Sequence, residues 1–321
     1  MLLGTLNCKI TIGKYQFRQV NAVEIERSGR LLSDTAKITL PLSAVFENQK
    51  KENIENKIKR GDAVTVELAY DDDFNVEFSG FVKDVSAKDK TVIECEDNAY
   101  LLRKPIPDKV FKDKTLNDVL KYIANECKID LNANVMDINL EQFALRNIDG
   151  LKAMQKLKDA YGLSVFFDYE EKLFAGLAYT YQNANIEYNL QEDVAKSNLT
   201  FKTEEDIKYK IKAISLQKDN TKIEVETGDA DGDLRTLYFY GITDKTQLEQ
   251  LAKEEIKKYK YTGYQGSIKT FGSPFVRFGD AAKITDNNYP ARTGTYYVES
   301  VKTRFSTSQG FKRDVELGIK L

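Results

Sequence analysis

Clusters of carboxylates are the residues of this sequence that could most readily do chemistry. Examples lie at Asp71–Asp73, Glu170–Glu171 and Glu204–Asp206. A glycoside hydrolase needs two carboxyl groups that face each other across a cleft, and adjacency in sequence does not establish that geometry. Tryptophan, a frequent platform for sugar stacking, is absent from the 321 residues. We therefore interpret the clusters as solvated charge on turns and helix faces, with no catalytic residue among them.

The absence of histidine narrows the chemistry further. Histidine is the usual general base near neutral pH, the partner of serine and cysteine nucleophiles, and a common zinc ligand. Only carboxylate chemistry or a lysine nucleophile would remain for an enzyme. The sequence contains no phosphate-binding loop, dinucleotide-binding fingerprint or nucleophile elbow. We predict that the protein is not an enzyme and carries no cofactor.

The acidic segment GDADGD is a candidate metal site. Asp229, Asp231 and Asp233 alternate as the ligands of calcium-binding loops do. The spacing then departs from an EF-hand, because Gly232 is not at the sixth position and Tyr240 stands where a bidentate glutamate is needed. The segment is interpreted as the solvated tip of a hairpin between the strands TKIEVET and LRTLYFYG, without a metal.

Cysteine usage and the amino-terminal segment bear on the compartment. Cys8, Cys95 and Cys127 are odd in number and too scattered for a metal ligand pair or a disulfide framework, which predicts free buried thiols in a reducing environment. The first residues, MLLGTLNCKITIG, lack a basic leader and soon alternate. We expect neither a signal peptide nor a membrane anchor, since no apolar run approaches the length of a membrane span.

Two short motifs suggest surface recognition, and neither is specific. The RGD sequence at Arg60–Asp62 is interpreted as a turn that opens a strand. The basic segment KKYKY at Lys257–Tyr261 follows two glutamates, so it is typical of an exposed amphipathic helix. With 48 basic and 50 acidic residues the net charge is −2, which gives no overall attraction to nucleic acid. We predict no specific nucleic-acid binding.

Hydrophobic periodicity divides the chain into three parts. Short alternating strands fill residues 1–103 and return in residues 186–321, where the antiparallel β pattern predicts two β-barrels. Pro105 and Pro107 interrupt this pattern and mark the start of a small α+β module over residues 104–185. The fold class is therefore β-rich α+β. The strands between residues 186 and 240 are left open, because they could complete either barrel.

Three helices are predicted from apolar stripes and end signals. Thr115 and Asp118 have the spacing of a capping box before the first helix, and Gly162 is placed to end the second. A third, longer helix is predicted over DKTQLEQLAKEEIKKYKYTG, with Gly263 as its end. The first two helices and the hairpin of LSVFFDY with KLFAGLAY make up the inserted module.

A short sequence repeat links the two β regions. Gly61, Asp62 and Ala63 open one series of three strands, and Gly279, Asp280 and Ala281 open another. Similar turns and strand spacings follow each triplet. Gly-Asp is an ordinary turn pair, so chance convergence is one explanation and duplication of a small barrel is the other.

The order of the parts resembles the baseplate hub proteins of contractile phage tails. That group includes the late control D family, and the hub part of type VI secretion spike proteins is similar. The likeness rests on a barrel, an inserted module that begins KTLNDVLKYIANECKI, and a second barrel at the carboxyl end. The segments FGD, TYYVESV and VELG near that end look like the final barrel of the family.

The resemblance implies a structural role. Hubs of this kind are homotrimers in which each chain supplies two barrels shaped like tail-tube subunits. Three chains then present six barrels to a hexameric tube, while the other end holds a three-fold spike. The expected partners are the tail tube protein, the spike protein and, as a further candidate, the tape-measure protein. The expected location is the virion tail or baseplate, assembled in the bacterial host cytoplasm.

Two other functions stay open at this point. A carboxylate-dependent peptidoglycan hydrolase of a tail machine would require two opposed acids in a cleft, one of them with a raised pKa. A glycan-binding β-protein would require an exposed aromatic groove. Neighbouring tyrosines such as Tyr296 and Tyr297 point to opposite faces of a strand and do not make such a groove.

Overall fold

The computed structural model describes residues 4–46, 50–134, 138–177 and 179–321. Alternating apolar and polar residues form strands from the amino terminus onward, because one side-chain face can then be buried in a core. The first nine strands are β1 (Leu6–Ile12), β2 (Tyr15–Phe17), β3 (Ala22–Ser28), β4 (Thr35–Leu40), β5 (Ser43–Val45), β6 (Lys51–Asn53), β7 (Ala63–Tyr70), β8 (Asn75–Ala87) and β9 (Thr91–Glu96).

An α+β module follows a short 3₁₀ segment at Asn98–Arg103. Its two helices pack with its strands around one apolar core. The hairpin of β12 with β13 is the one predicted from the sequence. The elements of the module are β10 (Lys109–Thr115), α1 (Leu116–Cys127), β11 (Asn139–Leu145), α2 (Gly150–Tyr161), β12 (Ser164–Phe167) and β13 (Leu173–Gly176).

The predicted ends of α1 and α2 are confirmed. The Thr115 hydroxyl accepts a hydrogen bond from the backbone N–H of Asp118 at 3.2 Å, and the Asp118 carboxylate accepts one from the N–H of Thr115 at 3.1 Å. This reciprocal pair satisfies two N–H groups that a helix start would leave unbonded. Helix α2 begins after Asp149, which caps it, and ends at Gly162 in the left-handed conformation.

The carboxyl-terminal part returns to β structure around one long helix. That helix ends at Tyr259, earlier than predicted, and Gly263 begins the next strand. The elements are β14 (Asn185–Asn189), β15 (Val194–Lys202), β16 (Tyr209–Leu216), β17 (Lys222–Gly228), β18 (Asp233–Tyr240), α3 (Lys245–Tyr259), β19 (Gly263–Phe271), β20 (Ala281–Thr285), β21 (Gly294–Ser306) and β22 (Gly310–Lys320).

The predicted hairpin around GDADGD is wrong. Strands β17 and β18 do not pair with each other, because both flank β16, β17 antiparallel to it and β18 parallel. The connection crosses the start of β16, where the N–H of Asp229 donates to the carbonyl of Tyr209 at 2.9 Å. Helix α3 covers this three-stranded sheet. In the described chain, none of the strands between residues 186 and 240 pairs with a strand of the first barrel region.

One 13-stranded sheet joins the two β regions, which the sequence did not predict. Its path runs β15-β19-β22-β21-β3-β4-β9-β8-β7-β1-β2, with β20 beside β21 and β14 beside β20. We call β1–β4 and β7–β9 the first β unit, and β14, β15 and β19–β22 the second β unit. Each unit has its own apolar core. The β-rich α+β fold class is confirmed.

Candidate functional site

The first Gly-Asp-Ala turn joins β7 to the middle of β8. Gly61 has φ of 89°, in the left-handed region that favours glycine. Its N–H donates to the carbonyl of Val82 at 2.8 Å, and the N–H of Val82 donates to the carbonyl of Asp62 at 2.9 Å. The Asp62 carboxylate accepts a hydrogen bond from the N–H of Lys59 at 2.8 Å. Ala63 then begins β7.

The second Gly-Asp-Ala turn has the same hydrogen bonds. Gly279 has φ of 86°. Its N–H donates to the carbonyl of Val298 at 2.9 Å, and the N–H of Val298 donates to the carbonyl of Asp280 at 2.8 Å. The Asp280 carboxylate accepts from the N–H of Arg277 at 2.7 Å. Ala281 then begins β20. The two turns therefore match in backbone conformation and in every one of these contacts.

The strands that follow the two turns also match in register. Ala63 lies opposite Phe81, and Ala281 lies opposite Tyr297. The long strands β8 and β21 both have a bulge directly after the valine that bonds the turn. A bulge inserts one residue into a strand and re-aims the side chains beyond it. The match thus extends from the turn through the next two strands of each unit.

The second turn is the more deeply buried of the two. Asp280 is 2% exposed, and its other carboxylate oxygen accepts hydrogen bonds from the Asn183 side chain at 3.0 Å and the N–H of Ala184 at 3.1 Å. Burial raises the pKa of Asp280, although these hydrogen bonds and the backbone of Arg277 oppose the shift. The carboxylate therefore joins its own turn to the segment that precedes β14.

The two β units meet along β3 and β21. Seven residue pairs run antiparallel from Ala22 opposite Ser306 to Ser28 opposite Ser300. Phe305 belongs to this ladder, opposite Val23, and Phe311 lies opposite Phe305 on β22. Both side chains are buried in the core of the first unit. The junction is therefore a continuous sheet in which two aromatic side chains of the second unit extend the core of the first.

A buried ion pair reinforces the junction. Both terminal nitrogens of Arg313 on β22 donate to the carboxylate of Glu77 on β8, each at 2.7 Å. Arg313 also donates to the carbonyl of Gly272 at 2.9 Å and to the hydroxyl of Thr303 at 3.1 Å. Arg313 is 1% exposed and the Glu77 residue 4%. Burial alone lowers the pKa of the guanidinium, but the facing carboxylate raises it overall.

This ion pair was not predicted from the sequence, although the alternation along β22 indicates a buried arginine. Phe311, Val315 and Leu317 are buried, and Arg313 has the same parity along the strand. A charged residue on the core face of a strand must find a partner, because an unpaired buried charge is costly. The parity predicts a buried arginine but does not identify Glu77.

Three further carboxyl groups lie between the first unit and the inserted module. The Asp97 carboxylate accepts hydrogen bonds from the N–H of Asp34 at 2.9 Å and from that of Ala99 at 2.9 Å. Arg27 approaches Asp34 at 3.5 Å. Burial raises the pKa of Asp34, while burial and the charge of Asp34 raise that of Asp97. Burial also raises the pKa of Glu171 to about 7. The proximity of these acids could not be predicted, because they lie far apart in the sequence.

Aromatic side chains fix the inserted module to the second unit. Phe166 of β12 lies at ring-centroid distances of 4.8 Å from Phe174 and 4.6 Å from Phe278. Phe278 directly precedes the second Gly-Asp-Ala turn, and its carbonyl accepts a hydrogen bond from the Tyr169 hydroxyl. A cavity of about 240 Å³ adjoins this aromatic cluster. The cluster therefore connects the module to the turn through packing.

The carboxylate clusters singled out in the sequence lie in separate, structural settings. Asp71 accepts a hydrogen bond from the N–H of Thr5 at 2.8 Å, and Glu170 pairs with Lys172 at 2.5 Å. Glu204–Asp206 forms an exposed 3₁₀ turn. These contacts are those of turns and caps. Glu171 is the exception, because it is half-buried beside the first unit, and its interpretation as solvated charge is wrong.

The candidate metal and nucleic-acid segments are likewise engaged in local contacts. Asp229 pairs with Lys260 at 2.7 Å, and Asp231 pairs with Lys208 at 2.5 Å. Tyr259, at the end of α3 within the basic segment, is buried. Among the described residues, no three histidine, cysteine or acidic side chains lie close enough to hold a metal ion.

The predictions for the cysteines and for membrane spans can be compared with the structure. All three cysteines are free and buried, as predicted. Within the ranges that the structure describes, no helix combines the length and the apolar character needed to cross a membrane.

Comparison with known proteins identifies the fold. No protein-family model and no curated protein matches the sequence. Two solved tail proteins share the fold along nearly their whole lengths. A 43 kDa tail protein of prophage MuSo2 from Shewanella oneidensis is 13% identical, with a TM-score of 0.65 over 98% of both chains. A tail protein from Neisseria meningitidis is 13% identical, with a TM-score of 0.64 over 98% of this chain and 96% of that one.

A secretion protein has the same fold. It is an Escherichia coli component of the type VI secretion system, described as structurally similar to the T4 bacteriophage tail proteins gp27 and gp5. It is 11% identical, with a TM-score of 0.62 over 96% of this chain and 76% of that one. The resemblance to phage tail and type VI secretion proteins is thus confirmed at the level of the fold.

Proposed function

We propose that this chain is a structural protein of a phage-type tail or baseplate and works as its hub. In this proposal three copies form a homotrimer that joins a hexameric tail tube to a three-fold spike. The protein acts through shape and symmetry, without catalytic turnover. Its partners are the tube protein and the spike protein, with the tape-measure protein as a further contact inside the tail. Its location is the virion tail, assembled in the host cytoplasm.

The observation that carries the proposal is the presence of two matching β units in one chain. The turns at Gly61 and Gly279 share their backbone conformation and hydrogen bonds, and the strands after them share register and bulge. We infer that one small unit was duplicated. Three chains would then present six similar surfaces, which is what contact with a six-fold tube requires.

The junction between the units suits this role. A ring that meets a tube must hold its units at fixed angles, and a strand ladder with a buried ion pair resists rotation of one unit against the other. The β3–β21 ladder and the Arg313–Glu77 pair supply both features. Residues 1–103 and 186–321 provide the two tube-like units in this proposal, and residues 104–185 form the inserted module.

The mass of the purified protein in solution tests the proposal. Light scattering on a sizing column across a concentration series should give about three times the chain mass of 36.6 kDa. Addition of the tube protein and the spike protein from the same source should then yield a larger complex containing both. A chain that stays monomeric at every concentration and in the presence of both proteins would refute the hub.

A further inference from the structure

The β3–β21 junction has an unfilled counterpart elsewhere in the chain. Strand β21 of the second unit corresponds to β8 of the first. Each is the next strand after the one that begins at a Gly-Asp-Ala turn, β20 and β7 respectively, and each carries the same bulge. From β8 the sheet of the first unit continues in the order β9, β4, β3. From β21 the sheet of the second unit continues in the order β22, β19, β15. Strand β15 therefore corresponds to β3. Within the chain β3 pairs with β21, but β15 and β8 do not pair.

Both counterpart strands have a free side. Pairing between β7 and β8 stops at Ala63 opposite Phe81, so among the strands that the structure describes Asp84–Ala87 is paired only with β9. Strand β15 ends the path of the large sheet and is paired only with β19 among the described strands. A free strand edge presents unpaired N–H and C=O groups and is a template for another strand. The corresponding edges of β3 and β21 pair with each other.

We propose that β15 of one copy pairs antiparallel with Asp84–Ala87 of the next copy. The contact repeats between chains the junction that β3 and β21 make within a chain. This inference rests on the proposed homotrimer and specifies its interface. Because two different edges meet, the contact is heterologous and must either close a ring or continue as a fibre. Closure after three copies gives six β units, joined alternately within and between chains.

The register of the known junction fixes the register of the proposed one. Ser28 lies opposite Ser300, and these residues correspond to Lys202 and Asp84. The same correspondence gives the remaining pairs. They are Asp84 with Lys202, Val85 with Phe201, Ser86 with Thr200, and Ala87 with Leu199.

These residue pairs are chemically complementary. Asp84 meets a lysine, the two hydroxyl side chains of Ser86 and Thr200 meet each other, and the apolar residues meet apolar residues. Alternation places the apolar pairs on one face of the sheet and the polar pairs on the other. Val85 and Phe201 are each only half-buried against the cores of their own units. Pairing would bury them further, as expected of an interface.

Cysteine cross-linking tests the pairing directly. Ser86 and Thr200 are both exposed, and the three native cysteines are buried, so S86C and T200C introduce the accessible thiols. Opposed residues on antiparallel strands have Cβ atoms about 5 Å apart, close enough for a disulfide or a short bis-maleimide. A mixture of the two single variants should yield a covalent dimer on oxidation. The S86C/T200C double variant should yield a closed species of three chains.

A matched control uses another free strand edge. Lys222 is exposed at the start of β17, whose only strand partner in the described part of the chain is β16. Mixtures of K222C with S86C or with T200C should give no covalent dimer above the level of each variant alone. Equal cross-linking of the control mixtures would overturn the pairing, because it would reflect random collision.

The outcomes separate this inference from the hub proposal. A trimer in solution without an S86C–T200C cross-link overturns the strand pairing and leaves the hub intact. A specific cross-link that produces an open ladder of chains supports the pairing and overturns the closed ring. A monomer without cross-link at every concentration overturns both.

Charge reversal gives an independent measurement. K202D would place two aspartates opposite each other. D84K would place two lysines opposite each other and would also break the pair that Asp84 makes with Arg60 within the chain. Each variant should weaken association about threefold per contact, the size expected for a partly exposed charge pair. The D84K/K202D double variant should recover most of the loss. Additive weakening in the double variant would show that the two residues do not meet.

Discussion

The two β units share a backbone framework and differ in what fills it. The core of the first unit is mainly aliphatic, with residues such as Ile10, Ile38 and Leu68. The core of the second unit contains Tyr188, Tyr264 and Tyr296. The hydrogen bonds that the units have in common are largely backbone bonds at the turn and in the strands. Such bonds tolerate side-chain change, so the framework can persist while the core composition diverges.

The tyrosines of the second unit need polar partners that the aliphatic core does not. The Tyr296 hydroxyl accepts a hydrogen bond from the N–H of Tyr264 at 2.8 Å, and the Tyr261 hydroxyl donates to the carbonyl of Gly318 at 2.9 Å. Buried hydroxyl groups without partners would be destabilising. At Tyr296 and Tyr261 the second unit therefore relies on specific hydrogen bonds, whereas the buried Tyr188 hydroxyl has no hydrogen-bond partner among the described residues.

The largest loss of unfolding free energy is expected for a substitution at the junction between the two β units. R313M removes one member of a buried ion pair and leaves Glu77 without its partner. The free energy of unfolding should fall by about 3–5 kcal/mol, measured by denaturant unfolding at fixed protein concentration.

The control for R313M is the exposed pair of Lys283 with Glu187, separated by 2.9 Å. E187Q should cost less than about 1 kcal/mol, because exposed ion pairs contribute little. Equal losses for R313M and E187Q would mean that the strand ladder and the apolar packing hold the units together without help from the buried ion pair.

The next largest difference in stability loss is expected between the aspartates of the two turns, Asp280 and Asp62. D280A removes a buried carboxylate that accepts hydrogen bonds from Arg277, Asn183 and Ala184. We expect a loss of about 3 kcal/mol in unfolding free energy, since buried donors would be left unpaired. D62A removes a half-exposed carboxylate and should cost about 1 kcal/mol. Thermal and denaturant unfolding of both variants would measure the ratio, and equal losses would contradict the difference in burial.

Alanine substitution of the turn glycines, Gly279 and Gly61, should give a smaller difference in unfolding free energy. The second turn should again lose more stability than the first. Both glycines have positive φ, so alanine is strained at either position, at a cost of about 1 kcal/mol. A Cβ at Gly279 would lie 2.7 Å from the Tyr181 ring, whereas one at Gly61 would lie 3.2 Å from the Tyr100 hydroxyl. G279A should therefore lose about 1 kcal/mol more than G61A. A larger loss for G61A in denaturant unfolding would show that strain at the first turn is the greater.

The elements that could be predicted from the sequence are those with local causes. The cap of α1 depends on Thr115 and Asp118, three residues apart, and the end of α2 depends on Gly162. Alternation in strands is equally local. The fold class followed from such patterns, as did the suspicion that Gly61 and Gly279 open equivalent strands.

The features that could not be predicted depend on contacts distant in sequence. Nothing near β3 indicates that β21 is its neighbour, and nothing near Glu77 indicates Arg313. The crossing of β18 over β16 was missed because two strands joined by a short acidic turn normally form a hairpin. Here the N–H of Asp233 donates to the carbonyl of Lys208 at 3.0 Å and directs β18 to the far side of β16.

Two buried acids of the first unit, Asp34 and Asp97, are replaced by other residues in the second unit. Strand register matches Asp34 with Tyr264 and Asp97 with Ile319, so the second unit has no carboxyl group at either position. The pKa values of Asp34 and Asp97 are raised above their usual value of 3.8. Between that value and the raised ones, the folded chain binds more protons than the unfolded chain. The stability contributed by these groups is therefore present at low pH and lost as the pH rises.

The variant D97N should reduce this pH dependence. From pH 5 to pH 8 the free energy of unfolding of the wild type should fall by about 1–2 kcal/mol more than that of D97N, because one pKa unit corresponds to about 1.4 kcal/mol. D72N, at an exposed turn, serves as the control and should keep the wild-type slope. Denaturant unfolding at several pH values measures the slopes. Parallel slopes for all three proteins would mean that Asp97 is ionised throughout and that its hydrogen bonds from Asp34 and Ala99 outweigh the effect of burial.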